Sequence, residues 1–116
     1  MKDTKVELQL NGKTYPVVFN LNVMEVIQEE YGTLEAWGNI TDAKNGEPNA
    51  KAVIFGITEM INEGLDIEAD EKGEEYKPLT RKQVGRLITE YGLLEATKKM
   101  NNAVVESTKT NTTKNG

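Results

Sequence analysis

The fold is decided near the start of the chain by residues 6–19, which read VELQLNGKTYPVVF. Apolar and polar side chains alternate up to Leu10, which is the period-two pattern of a strand with one buried face. Asn11-Gly12 follows, and both residue types tolerate the positive φ of a two-residue hairpin turn. In the second apolar run, Pro16 lacks a backbone N–H and favours an edge strand. The stretch therefore predicts an N-terminal β-hairpin.

From residue 21 onward, the apolar period changes to that of helices. Asn22 and Glu25 have the spacing of a capping box, with Leu21 and Val26 in the positions of a hydrophobic staple around it. Gly32 is suited to the C-terminal cap. The pattern predicts a first helix between Asn22 and Gly32.

Two further helical segments are predicted between residues 33 and 63. A short one is predicted over residues 33–37 and is closed by Gly38. A long amphipathic helix is predicted over residues 48–63, with Gly64 as its stop. Residues 65–78 are predicted to form an acidic connector.

The last third of the chain predicts two more helices. Thr80 and Gln83 form a second capping box, and the helix that they begin ends at Gly92. A final helix is predicted over residues 93–105. Residues 107–116 contain no apolar side chain, so we expect a disordered tail there.

The order of these elements predicts an α+β, predominantly α-helical fold, with an N-terminal β-hairpin followed by a bundle of about four helices. The 116 residues, of which 37% are hydrophobic, are enough for one core. We therefore expect a single α+β domain over residues 1–106 and a disordered C-terminal tail over residues 107–116.

A segment of seven residues occurs twice in the chain, with one difference. Residues 30–36 read EYGTLEA and residues 90–96 read EYGLLEA. The favoured interpretation is that both copies are the same helix-ending motif. In this motif an aromatic anchor is followed by a glycine cap and by the start of a new helix. The alternative is a duplicated helical unit, although repeat architectures usually show longer matches.

The composition argues against several kinds of chemistry. The chain has no cysteine and no histidine, so thiolate chemistry and the commonest general base are missing. Asp66, Glu68 and Asp70 have the first spacings of a calcium loop, but Glu71 stands where that loop needs glycine and Lys77 where it needs glutamate. We therefore expect no enzyme activity, no catalytic residues, no cofactor and no metal.

The charge and the apolar runs bear on partners and location. A net charge of −5 argues mildly against nucleic acid as a partner. No apolar run approaches the roughly 20 residues that span a bilayer, and no signal core follows the N-terminus. The sequence predicts a cytoplasmic protein without a membrane partner.

Apolar helix residues are the candidates for contact with a partner protein. Tryptophan is enriched at binding hot spots and is equally common as a core anchor, so both roles stay open for the only tryptophan of the chain. The predicted partner-binding residues are Trp37, Leu34, Phe55, Met60, Leu94 and Met100.

A rival hypothesis is a small DNA-binding regulator of helix-turn-helix type, using residues 80–105. Basic side chains cluster there at Arg81, Lys82, Arg86, Lys98 and Lys99. However, Gly92 leaves a very short break, whereas this motif has a turn of about three or four residues. The following helix also begins with apolar and acidic residues, where a reading helix should meet base edges.

Residues 15–35, YPVVFNLNVMEVIQEEYGTLE, follow Asn-Gly-Lys and carry a resemblance to a known family. A strand pair, an aromatic, an Asn-capped helix and a Glu-Glu-Tyr-Gly-x-Leu-Glu ending are similar to the tail assembly chaperones of long-tailed bacteriophages. Residues 52–64 look like the central helix of that family, and residues 79–84, LTRKQV, look like the entry into its C-terminal helices. The resemblance covers residues 5–105.

The resemblance implies a role in phage tail assembly. Such proteins bind and solubilise the tape-measure protein and help to recruit tail-tube subunits around it. Self-association along the tape measure would be compatible with this role. The resemblance further implies action in the cytoplasm of the bacterial host, absence from the mature virion, and no catalytic residues.

Overall fold

A computed structural model describes residues 4–42 and 46–113, and the side chains of residues 6–42 and 46–108. The elements follow in the order β1 (Thr4–Leu10), β2 (Lys13–Phe19), α1 (Leu21–Tyr31), α2 (Leu34–Thr41), α3 (Ala50–Lys72), α4 (Arg81–Tyr91) and α5 (Leu93–Thr113). The predicted α+β, mainly helical class with an N-terminal hairpin is confirmed, with five helices among the described residues in place of about four.

The hairpin has the turn that its sequence predicts. β1 and β2 are antiparallel, and Leu10 faces Lys13 across the turn. Asn11 and Gly12 have φ of 54° and 76°, the positive values that a two-residue hairpin turn requires. Pro16 faces Glu7. Because the sheet in the described part of the chain has two strands, both are edges, and the edge position predicted for the proline follows.

The start of α1 corrects the capping prediction. The N-cap is Asn20, whose side chain accepts a hydrogen bond from the Val23 N–H at 3.2 Å. The predicted cap, Asn22, lies in the first turn. Both asparagine side chains donate to the same Oε2 atom of Glu63 on α3, at 2.7 and 3.1 Å. Leu21 is 65% exposed and therefore does not act as a staple.

Two helices run past the glycines that were predicted to end them. α2 continues through Gly38 to Thr41, because Trp37 and Thr41 are both buried on one face of the helix. α3 begins after its N-cap Asn49 and continues through Gly64.

Gly64 lies inside α3 because β2 is very close to the helix there. A Cβ atom on this glycine would lie 2.7 Å from the Cβ of Pro16, which is closer than side chains pack. The glycine therefore permits contact and does not terminate the helix. α3 ends two turns later, at Gly73 in the left-handed conformation.

The acidic connector is consequently shorter than predicted. The three acids at positions 66, 68 and 70 belong to α3 and not to a loop. Within the described residues, no group of three acidic side chains is placed to hold a metal ion.

The second capping box is confirmed. The Gln83 N–H donates to Thr80 Oγ1 at 3.1 Å, and the Thr80 N–H donates to Gln83 Oε1 at 2.8 Å. The two similar segments, residues 30–36 and 90–96, also end their preceding helices in the same way. Gly32 and Gly92 have φ of 90° and 109°, and each donates its N–H to the carbonyl four residues earlier.

The C-terminal helix is longer than predicted. α5 continues beyond Val105 to Thr113, so residues 107–113 are helical where a disordered tail was expected. Ser107 is fully buried, and its hydroxyl donates to the carbonyl of Phe19 at 3.1 Å. Residues 114–116 of the predicted tail lie outside the described residues.

The core is one cluster that draws on the hairpin and on each of the five described helices. Trp37 lies within it at 1% exposure, and its indole N–H donates to the carbonyl of Ala52 at 3.0 Å. Gly56 faces the indole ring so closely that an added Cβ would overlap it. In the described part of the chain, none of the helices combines the length and the apolar character that crossing a bilayer requires.

Candidate functional site: an apolar groove between two helices

An open groove of about 370 Å³ lies between α2 and α5, and we call it the α2–α5 groove. Its lining residues are Leu34, Glu35, Trp37, Gly38, Asn39, Asp42, Asn101, Val104 and Val105. Because the groove is open and partly apolar, it is the candidate contact surface of this chain.

The α2 side of the groove is held by a cap and by the core. Thr33 caps the helix, with its hydroxyl accepting from the Ala36 N–H at 2.9 Å. One turn further, Trp37 is buried and held by its bond to Ala52. Leu34 precedes Trp37 by three residues on the same face and is only partly buried. The indole therefore forms a rigid floor beside an accessible aliphatic side chain.

The α5 side is apolar because this helix carries more apolar residues than its core face can bury. Met100, Ala103 and Ser107 are fully buried, at helical spacing. Val104 and Val105 lie next to that face, and Val105 is 54% exposed. Two valines are thus presented to the groove.

The charged residues that line the groove are acidic. Glu35 and Asp42 are the charged members of the described lining, and neither lysine nor arginine is among them. The Glu35 carboxylate is exposed and forms neither a hydrogen bond nor an ion pair with the described residues. The described lining of the groove therefore combines apolar and acidic side chains.

A second groove, of about 510 Å³, is basic and lies between α3 and α4. Ile54 lines it together with Arg81, Lys82 and Arg86, which are exposed. None of these three cations forms an ion pair within the described residues. Burial raises the pKa of the nearby Glu59 carboxyl, and the charge of Arg81 partly offsets this rise.

The two lysines of α5 in the DNA-binding hypothesis do not line this basic groove. Lys98 pairs with Glu95 at 3.6 Å, one turn earlier on the same exposed surface. The structure therefore brings together three of the five basic residues that the rival hypothesis uses.

The structure separates the six predicted partner-binding residues. Trp37, Met60 and Met100 are buried, with at most 1% exposure, so they offer a partner almost no surface in the folded chain. Leu34 lies in the α2–α5 groove with Trp37.

The other two predicted residues lie elsewhere. Phe55 is partly buried and makes an edge contact with Tyr31, with ring centroids 5.5 Å apart. Leu94 is 54% exposed but is not part of the groove lining. Contact of these six residues with a partner stays a prediction.

Sequence reasoning missed the α5 side of the groove. The adjacent pair Val104-Val105 was the available signal, because two neighbouring residues point about 100° apart on a helix and one core face rarely buries both. Asn39 and Asn101 gave no such signal.

Comparison with known proteins adds no relative to this picture. No protein-family model, no curated protein and no solved structure matches the chain. What is established is the class: a mainly helical α+β domain with an N-terminal hairpin.

Proposed function

We propose that this chain is a phage tail assembly chaperone, which binds the helical tape-measure protein, keeps it soluble and helps to recruit tail-tube subunits. The proposal starts from the order and spacing of residues 15–35 and their resemblance to that family. In this role the chain acts in the cytoplasm of the bacterial host and leaves before the virion is complete.

The observation that carries the proposal is the α2–α5 groove. Leu34, Val104 and Val105 line an open surface whose floor is the rigid indole of Trp37. An amphipathic helix binds such a surface by laying its apolar stripe into the groove. A long helical protein with an exposed apolar stripe is the kind of partner that this surface would keep soluble.

The test is co-expression with the tape-measure protein that the proposal names as the partner. The soluble fraction of that protein is measured with and without this chain, and the mixture is analysed by size-exclusion chromatography with light scattering. We expect the partner to be insoluble alone and to co-elute with several copies of this chain. A partner that is soluble alone, with this chain eluting separately as a monomer, would contradict the proposal.

The second candidate, DNA binding, is favoured by one observation: the cations Arg81, Lys82 and Arg86 around the basic groove, which form no ion pair with the described residues. DNA affinity from such contacts would fall steeply with salt, because bound counterions are released. The single-residue break at Gly92 and the exposed Leu94 at the start of α5 argue against a reading helix.

A triple alanine variant separates the two candidates. Arg81→Ala, Lys82→Ala and Lys98→Ala together should abolish DNA retardation in a gel-shift titration if the second candidate is correct. The same variant should retain co-elution with the helical partner if the chain is a chaperone, because none of the three residues lines the α2–α5 groove.

A further inference from the structure

We propose that the basic groove between α3 and α4 binds residues 66–75 of a second copy of this chain, which we call the acidic segment. The contact is head to tail, because the groove of one copy receives a different surface of the next copy. This contact does not depend on the proposed function. Three features of the chain point to it: the construction of the groove, the charges of the two surfaces and their separation along α3.

The basic groove has an apolar floor and a cationic rim. Ile54 of α3 lines it and is only partly buried. Gly85 lies opposite on α4, where an added Cβ would be 3.5 Å from Cδ1 of Ile54. Because glycine has no side chain, the floor stays accessible between the exposed cations Lys82 and Arg86, which lie one helical turn apart. The groove can therefore take an apolar side chain that is flanked by acids.

The three cations of the groove form no ion pair with the described residues. This observation covers nearly every acid of the chain. Of the 19 aspartates and glutamates, Asp3 is the one whose side chain lies outside the described part. The positive charge of the groove is therefore available to the acids of a partner.

The acids nearest to these cations leave most of that charge in place. Burial raises the pKa of the Glu59 carboxyl, and Arg81 is close enough to offset part of this rise, but the two groups form no ion pair. Glu90 follows Arg86 by one helical turn, again without an ion pair. Lys82 has no acid one turn away on either side along α4. Lys82 and Arg86 are therefore the cations on which the contact depends most.

The acidic segment has the charge that the groove requires. It contains six acids and one lysine in ten residues, and five of the acids are exposed. Asp66 and Asp70 are one turn apart on α3, where like charges destabilise a helix, so cations from a partner would relieve their repulsion. Tyr76 follows the segment directly and is 38% exposed. Its ring offers an apolar surface for the floor of the groove and a face for a cation of the rim.

The acidic segment cannot reach the floor of the groove in its own chain. Ile54 and Asp70 lie on the same continuous helix, which places them roughly 24 Å apart along its axis. A second copy can make this contact. Because its own groove then remains free, the contact can be repeated from copy to copy, which gives an open row or a ring and not a symmetric dimer.

Two other assignments of the charges are weaker. Nucleic acid would meet the groove on a chain whose net charge of −5 repels it, and the acidic segment continues the helix that forms one wall. Lys98 and Lys99 on α5 are a second exposed pair of cations, beside the exposed Leu94. However, Lys98 lies 3.6 Å from Glu95, so part of that charge is already neutralised. The experiment includes both alternatives.

The experiment measures self-association of the full chain by sedimentation velocity over a range of protein concentrations. A salt concentration of about 0.1 M screens the net repulsion between copies beyond about 10 Å and retains close ion pairs. The groove variant combines Lys82→Glu with Arg86→Glu. The acid variant combines Asp70→Asn, Glu71→Gln and Glu74→Gln. All five side chains are exposed, and circular dichroism establishes that each variant is folded.

We expect the wild-type chain to form larger species as its concentration rises, without stopping at a dimer. Each variant alone should self-associate more weakly by about tenfold or more. A mixture of the two variants should form a dimer of one copy each and nothing larger. In that dimer the intact groove of the acid variant binds the intact acidic segment of the groove variant, and the other two surfaces are inactive.

The matched control combines Lys98→Glu with Lys99→Glu. It also reverses two exposed cations on a helix and changes the net charge by the same amount as the groove variant, but neither lysine lines the basic groove. We expect the control to self-associate as the wild-type chain does.

Four results would overturn the proposal. The wild-type chain could stay monomeric at every concentration, or its association could stop at a dimer. The groove variant and the α5 control could lose association equally, which would assign the effect to α5 or to net charge. The mixture of the two variants could stay monomeric. A monomeric wild-type chain that retards a short DNA duplex in a gel, while the groove variant does not, would assign the groove to nucleic acid.

Discussion

Gly56→Ala should destabilise the chain, although the same change in an exposed helix position usually stabilises it. Gly56 lies inside α3, facing the indole of Trp37. An alanine methyl would overlap the indole ring. It would also lie only 3.0 Å from the Met100 sulfur. The indole cannot move away easily, since its N–H bonds to the Ala52 carbonyl and the ring is 1% exposed.

The magnitude follows from two opposing effects. Overpacking a core costs roughly 1–3 kcal/mol, while alanine in place of glycine inside a helix contributes roughly 0.5–1 kcal/mol of stability. Because the indole is held in place, the upper half of the overpacking range applies. We expect the free energy of unfolding to fall by about 1–2 kcal/mol.

Gly85→Ala is the matched control. Gly85 is also a helical glycine, in α4, but an added Cβ would lie 3.5 Å from the Cδ1 of Ile54, which is ordinary contact. This variant should gain roughly 0.5–1 kcal/mol from helix propensity alone. The two substitutions are chemically identical, so their difference measures the packing at Trp37.

The assay is urea unfolding followed by far-ultraviolet circular dichroism and by tryptophan emission. With a slope of roughly 1–3 kcal/mol per molar urea, Gly56→Ala should lower the midpoint by roughly 0.3–2 M. Gly85→Ala should raise it. A Gly56→Ala chain as stable as wild type, or as stable as the Gly85→Ala chain, would refute the close packing of α3 against Trp37.

Four further substitutions test three other parts of the fold by urea unfolding. Asn20→Ala should lower the free energy of unfolding by about 1–2 kcal/mol through loss of the α1 cap. Asn22→Ala loses one exposed hydrogen bond and should cost less than half of that. Equal losses in the two variants would argue against the cap. Tyr31→Phe should stabilise by about 1 kcal/mol, because the buried hydroxyl has no hydrogen-bond partner among the described residues; a loss of stability would reveal a partner. Burial raises the pKa of Glu59 above 4.5, so the stability that its protonation provides is present below pH 4.5 and is lost as the pH rises through the folded-state pKa. Glu59→Gln should therefore be more stable than wild type at neutral pH and equal to it in acid, and a difference that persists in acid would reject this cause.

Features that depend on neighbouring residues were predictable from the sequence. The Asn11-Gly12 turn needs only two residues that accept positive φ. The Thr80–Gln83 box closes within one helical turn, so its two hydrogen bonds are encoded locally. The hairpin and the start of α4 were found for this reason.

Features that depend on distant residues were not predictable in the same way. Gly64 has the sequence signature of a helix stop, but Pro16, which follows the hairpin turn, explains why a small residue is needed there. Asn20 and Asn22 are both good caps, and the Glu63 carboxylate that contacts both lies more than 40 residues away. Local patterns cannot express such contacts.

The candidate site shows the same division. An apolar stripe on a helix identifies residues that leave water, but it does not say whether they meet the core or a partner. Met60 and Met100 turn inward, while Val105, absent from the predicted set, is half exposed. Only the packing of α2 beside α5 defines the groove that Val105 shares with Leu34.

The bond between Ser107 and Phe19 joins residues 88 positions apart and has a consequence for the order in which the chain can fold. The hairpin is synthesised first, yet α5, which packs on both of its strands, is synthesised last of the described elements. Until α5 has left the ribosome, Phe19 and its neighbours keep a face exposed to water. We expect the nascent chain to stay only partly folded until Ser107 has left the ribosome, and to depend in that interval on rapid closure or on cellular chaperones.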